Sequence, residues 1–163
     1  MSRLDSFIRR LTAQRDILNH VRDQIGLVDG GPILEIGLGN GRTYHHLREI
    51  FPDRRIVAFD RANAAHSSSV PDPENLVIGE IKETAATFAG CGAALVHADI
   101  GTGYPDKDAI TLTWLPQRVA AMLAPGGLAV SGLPLDHAAL SALPKPATID
   151  PDRYFLYRRT DAS

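Results

Sequence analysis

The run Ile33-Leu34-Glu35-Ile36-Gly37-Leu38-Gly39-Asn40-Gly41-Arg42 constrains this chain more than any other segment. A short apolar stretch ends in an acid and then in three glycines at alternate positions, ahead of the helix-forming sequence Arg42 to Phe51. That order describes a strand turning tightly into a helix beneath a nucleotide-like ligand. A Cβ at the glycines would block both the positive-φ turn and the close approach of backbone to ligand.

The 163 residues are expected to form one domain, with an N-terminal helical part over 1–30 and a core over 31–163. That length leaves no room for a separate substrate domain, so acceptor contacts must come from loops, termini or a second subunit. Lys and Arg total 17 against 19 Asp and Glu, the net charge is -2, and no basic stripe appears. A nucleic-acid partner is therefore not expected. The single cysteine, Cys91, has no partner for an internal disulfide and sits among small residues as packing. No apolar stretch has the length of a signal core or a membrane span, which makes the cytoplasm the expected location.

Apolar residues at Leu4, Phe7, Ile8, Leu11, Leu18, Val21 and Ile25 recur at helical spacing, so residues 4–25 form an amphipathic helix ahead of the glycine motif. Strands are predicted at 33–36, 56–59, 76–78, 94–98 and 128–130, separated by helix-length connections over 42–51, 80–88 and 108–123. The stretch 63–74 reads as loop, and Pro116 kinks or restarts the helix before the fifth strand. A short helix over 137–143 and a terminal hairpin pairing 145–148 with 154–157 complete the reading. Strands joined by helices imply parallel pairing and right-handed crossovers, hence an α/β, doubly wound, mostly parallel Rossmann-like sheet with a compressed C-terminal hairpin and an added N-terminal helix.

In such sheets ligands sit at the carboxyl ends of the strands, and four of these strands end at Glu35, Asp60, Glu80 and Asp99. Four carboxylates repel a pyrophosphate. They suit an adenosyl ligand with a cationic centre, one acid taking the ribose, another the adenine amino group and others the positive charge. The third glycine also falls one residue earlier than in a dinucleotide fingerprint, which argues against a nicotinamide-dependent oxidoreductase.

With these features the chain resembles class I S-adenosylmethionine-dependent methyltransferases. Glu35 to Gly41 matches their first motif, Asp60 the strand-two acid, Gly79-Glu80 the strand-three acid, Asp99 the strand-four position, and Leu123-Ala124-Pro125-Gly126-Gly127-Leu128 the turn before strand five. The resemblance implies that Gly37, Gly39 and Gly41 pass beneath the methionyl part and ribose, and that Glu35 reaches the amino group directly or through water. It further implies that Asp60 takes the ribose hydroxyls, that Glu80 and the Ile81 N–H bind adenine, and that Asp99 sits near the methionyl amine. The cofactor would be S-adenosyl-L-methionine and the product S-adenosyl-L-homocysteine.

Methyl transfer needs chiefly alignment and exclusion of water, and a base only for a protonated acceptor. His137, Tyr104 and His97 are the candidate bases, with His97 equally readable as a core histidine. Adjacent His45 and His46 lack a third ligand at metal spacing, and Asp99, Asp106 and Asp108 read as loop aspartates, so no metal is expected. The expected function is methyl transfer to a small-molecule acceptor, with a cofactor-binding regulatory subunit lacking its own acceptor pocket as the alternative. The N-terminal helix reads as a cover that completes the pocket, as an interface, or as a shield of the sheet, removable with the sheet intact, and it and Trp114 with Pro116 are the surfaces through which a homo-oligomer would form.

Overall fold

The computed structural model describes residues 1–160. Helix α1 (Arg3–His20) starts at a capping box in which the Ser2 hydroxyl accepts from the Asp5 N–H and the Asp5 carboxylate accepts from the Ser2 N–H. It runs into a single π-helical turn, Val21–Ile25, closed by Gly26 at φ 78°. Strand β1 (Ile33–Ile36), helix α2 (Arg42–Ile50) and strand β2 (Ile56–Asp60) follow. The expected loop over 63–74 holds two short 3-10 turns before β3 (Leu76–Ile78) and α3 (Ile81–Ala86). Strand β4 (Ala93–Ala98) leads to α4 (Pro105–Leu112) and α5 (Leu115–Met122), broken at Thr113-Trp114 with Pro116 in the first turn of α5, where its missing N–H costs nothing.

Strand β5 (Leu123–Ser131) begins earlier than expected, because Ala93 already pairs with Leu123. The glycine-containing turn bulges out before the register resumes at Leu95 and Leu128. The expected helix over 137–143 does not form. Leu140–Ala142 is instead β6, paired antiparallel with β7 (Phe155–Arg159), and residues 145–148 lie in the connection between them. The sheet order is β3-β2-β1-β4-β5-β7-β6, parallel from β3 to β5 and antiparallel at β7 and β6.

Side chains alternate across the sheet with period two. Leu34, Ile36, Val57, Phe59, Val96 and Ala129 pack with Val119 and Met122 of α5 on one face. Ile33, Ala58, Leu95, Val130 and Leu156 pack with Ile17 and Leu18 of α1 and Leu47 of α2 on the other. Glu35 and His97 fall on this second face by the same alternation, and both are completely buried. The N-terminal helix is thus a core element: Ile17, Leu18 and Val21 have no exposure, while Leu4, Phe7 and Ile8, beyond the core contact, stay exposed. No helix among the described residues is long and apolar enough to cross a membrane.

Candidate functional site

A cavity of about 580 Å³ opens at the carboxyl ends of the parallel strands, where the order reverses between β1 and β4. The glycine turn forms its floor. The N–H groups of Gly37 and Leu38 both donate to the Phe59 carbonyl, drawing the turn across the end of β2. Gly37 has φ 95°, and a Cβ there would lie 2.8 Å from the Asp99 carbonyl oxygen and 2.6 Å from Ile100 Cγ2, so no other residue fits. Gly39, at φ 53°, has nothing within 4 Å of a would-be Cβ, which would project into free space at the cavity wall.

Asp60 ends β2 and anchors this turn. Its Oδ2 accepts from the Gly39 N–H at 2.8 Å and its Oδ1 from the Arg61 N–H at 2.7 Å, while the residue lines the cavity. Glu80 precedes the first residue of α3, Ile81, and both line the cavity. The Glu80 carboxylate lies 3.2 Å from the Arg61 guanidinium in an exposed ion pair. Asp99 stands on the opposite wall. Gln14 Nε2 of α1 donates to its Oδ2 at 2.7 Å, and Arg10 of the same helix lies 3.8 Å away. Trp114, read from sequence as an interface aromatic, is half-buried and lines the cavity.

Glu35 does not line the cavity. Its Oε1 lies 2.6 Å from His97 Nδ1, on the neighbouring strand, and its Oε2 has no hydrogen-bond partner. Burial pushes the Glu35 carboxyl above the ordinary carboxylate range, with the His97 charge and hydrogen bond opposing. For His97, burial penalises the charged ring, but the charge and hydrogen bond of Glu35, with Asp99 adding to them, move it upward. The pair therefore holds its proton more tightly in the folded chain than in the unfolded one. The stability this contributes is present below the ordinary histidine value of 6.5 and is lost as pH rises through the raised value. Thermal melts from about pH 6 to about pH 9 are expected to show the native protein losing melting temperature relative to a Glu35→Leu, His97→Leu double variant. A difference independent of pH would remove the pair from the titration.

The other candidate bases lie outside the cavity. Tyr104 is exposed, with the Lys107 ammonium 5.0 Å from its ring centre, and His137 Nδ1 accepts from the Ala139 N–H at 3.0 Å as a turn cap. Asp108 is occupied by the N–H groups of Thr102 and Gly103 and by the Thr102 hydroxyl. Among the described residues no group of three His, Cys, Asp or Glu side chains is placed to hold a metal ion. His46 bonds to Asn19 of α1, and the Cys91 thiol donates to the Met122 carbonyl.

A second cavity, of about 360 Å³, adjoins the first and shares Arg10, Asp99 and Thr102 with it; Leu133, Arg153 and Tyr154 form its far side. Sequence reasoning passed over Arg10, Gln14 and Tyr154. Gln14 did carry a readable signal, as a polar residue on the stripe formed by Phe7, Leu11, Leu18 and Val21.

A family model described as S-adenosyl-L-methionine methyltransferase matches residues 1–159. An S-adenosyl-L-methionine methyl transferase from Silicibacter pomeroyi DSS-3 is 41% identical, the match covering 98% of this chain and 99% of that one, with a TM-score of 0.88. The antibiotic-resistance methyltransferase Kmr shares the fold at 12% identity, with 91% and 93% of the two chains covered and a TM-score of 0.58. So does the 16S rRNA (adenine(1408)-N(1))-methyltransferase of Catenulisporales acidiphilia, at 14% identity over 94% and 91% of the chains, with a TM-score of 0.55. No curated protein matches the chain. A match over nearly the whole length, together with a closely similar structure, places this chain in the S-adenosyl-L-methionine methyltransferase family.

Proposed function

We propose that this enzyme transfers the methyl group of S-adenosyl-L-methionine to a small molecule seated in the second cavity. The observation that carries the reading is that the two cavities share Arg10, Asp99 and Thr102 as lining residues, so a compartment for the cofactor lies beside one of about 360 Å³, within the range of small-ligand sites.

The residues present fit the cofactor. Gly37, Gly39 and Gly41 line the cavity together with Asp60, Glu80 and Asp99. In this reading Gly37, Gly39 and Gly41 lie beneath the methionyl group and ribose, and Asp60 accepts from the ribose hydroxyls. Glu80 and the Ile81 N–H read adenine, and Asp99 faces the ammonium. Helix α2 begins at Gly41 without a side-chain cap, leaving its first N–H groups to a carboxylate. Bound in this way, the cofactor supplies an already activated methyl group. The chain's own residues have to align the acceptor and keep water out. Arg10, Leu11 and Gln14 of α1 also line the cavity, so the N-terminal helix contributes to its cover.

Small-molecule and RNA acceptors separate in one experiment. The enzyme, with methyl-labelled S-adenosyl-L-methionine, is incubated with the low-molecular-mass fraction of a cell extract and, separately, with purified ribosomal RNA. Label entering the small-molecule fraction is the expected result. Label entering RNA would replace this reading with the activity named for the Catenulisporales relative. Tight cofactor binding with label in neither would favour a regulatory subunit.

A further inference from the structure

The second cavity takes its walls from distant parts of the chain: Arg10 of α1, the loop after β4, and Arg153 with Tyr154 in the connection between β6 and β7. Two of these groups are guanidiniums with loose partners. Arg10, its side chain 44% exposed, lies 3.8 Å from Asp99 Oδ2, an oxygen that already accepts from the Gln14 amide at 2.7 Å. Arg153, 23% exposed, lies 3.9 Å from the Asp150 carboxylate and donates to the Ser6 carbonyl and hydroxyl at 3.4 and 3.3 Å. A well-made bond between a guanidinium and a carboxylate is about 2.8 Å long, so neither arginine has found one.

The acids that line the same cavity are committed elsewhere. Asp108 accepts from the Thr102 N–H and hydroxyl through Oδ1 and from the Gly103 N–H through Oδ2, so its carboxylate orders the loop. Asp152 is exposed and stands near enough to the Lys145 ammonium to favour that charge. Asp99 has Gln14 and, in the reading above, the ammonium of the cofactor, which leaves Arg10 free to pair with another anion. A guanidinium fork matches a carboxylate or a phosphate. Asp99 and Asp152 on the same walls repel a doubly charged phosphate more than a singly charged carboxylate.

We propose that Arg10 and Arg153 form an anion subsite in the second cavity, and that the methyl acceptor is a small molecule whose carboxylate they hold. This rests on the reading above, in which the acceptor occupies that cavity. Arg153 stands on its far side and Arg10 on the wall shared with the cofactor cavity, so a carboxylate bound by the pair fixes the acceptor's orientation as well as its place. An acceptor without an anion leaves both guanidiniums unanswered and binds more weakly, which makes the two arginines specificity-determining residues.

For the test, the low-molecular-mass fraction of a cell extract is divided on an anion exchanger at neutral pH before reaction with methyl-labelled S-adenosyl-L-methionine. Label is expected to enter the retained fraction, and to do so equally after that fraction has been treated with phosphatase. Label mainly in the unretained fraction, or label lost after phosphatase treatment, overturns the proposal and leaves the small-molecule reading standing; label in neither fraction removes both. At saturating S-adenosyl-L-methionine, Arg153→Gln should raise the amount of retained fraction needed for half-maximal rate by about tenfold or more, with the maximal rate within about twofold of native. Arg153 does not line the cofactor cavity, so this variant should bind S-adenosyl-L-homocysteine within about twofold of native by calorimetry. Arg153→Lys, which keeps the charge without the fork, should recover part of the loss. Ser6→Ala removes the hydroxyl that Arg153 bonds and should leave half-saturation where it is. Half-saturation unchanged in Arg153→Gln, or raised as much by Ser6→Ala, overturns the proposal, since an arginine that only ties α1 to the connection before β7 would behave in that way. If Arg153→Gln does not fold, Arg10→Gln carries the same test: raised half-saturation supports the subsite, and unchanged half-saturation overturns it.

Discussion

Asp60→Ala is expected to remain folded and to bind S-adenosyl-L-homocysteine about a hundredfold more weakly, a loss of about 2 to 3 kcal/mol. The carboxylate has two tasks. It accepts the Gly39 N–H at 2.8 Å, which fixes the turn under the ligand, and in the proposed complex it takes the ribose hydroxyls. Truncation removes the acceptor for the sugar and frees the turn, so both losses fall on the same ligand. The fold should survive because the buried residues of β2, Val57 to Phe59, are untouched, and Asp60 itself is only half-buried at the strand's end. Calorimetry on a variant whose circular dichroism matches the native protein decides the matter. Unchanged affinity would take Asp60 out of the site.

Parallel strands buried on both faces announce themselves as short apolar runs between turn residues, and for this reason β1, β2 and β4 lie within a residue or so of their expected positions. The C-terminal region was not legible in the same way. Residues 137–143 look helical by local preference, but Pro134 and Pro144 bracket them, the His137 ring takes the Ala139 N–H, and Leu140 to Ala142 gain a strand partner in β7. Pairing over a distance overrides local propensity here. The alternative partner, residues 145–148, contains Pro146, which has no N–H for a ladder. The Lys145 ammonium instead gathers the carbonyls of Pro151 and Tyr154 into a closed loop.

The same division holds for the site. Asp60, Glu80 and Asp99 were readable because strand ends are visible in sequence and the fold brings strand ends together. Arg10, Gln14 and Tyr154 meet Asp99 and His97 only through packing: Gln14 and Asp99 are 85 residues apart, and no local pattern links them. His97 was readable only as one of two alternatives, core histidine or base. Its pairing with Glu35 depends on β1 and β4 being neighbours in one particular register, which the order of the strands in the chain does not reveal.

Deleting residues 1–25 is expected to abolish cooperative unfolding altogether, whereas the sequence suggested a removable cover over an independent sheet. Ile17, Leu18 and Val21 are completely buried against Ile33, Leu95 and Val130. Truncating one such side chain to alanine costs about 2 to 5 kcal/mol, and a domain of this kind has only about 5 to 15 kcal/mol in total. Removing all three, together with the half of a helical layer that carries them, therefore exceeds what the remaining sheet can lose, and it exposes the apolar face formed by β1, β4 and β5 to water. The ligand site goes with it, because Gln14 holds Asp99 from the same helix. Thermal melts followed by circular dichroism test this directly. A truncated chain that melts cooperatively within a few degrees of the full one would show that α1 rests on the sheet without supporting it.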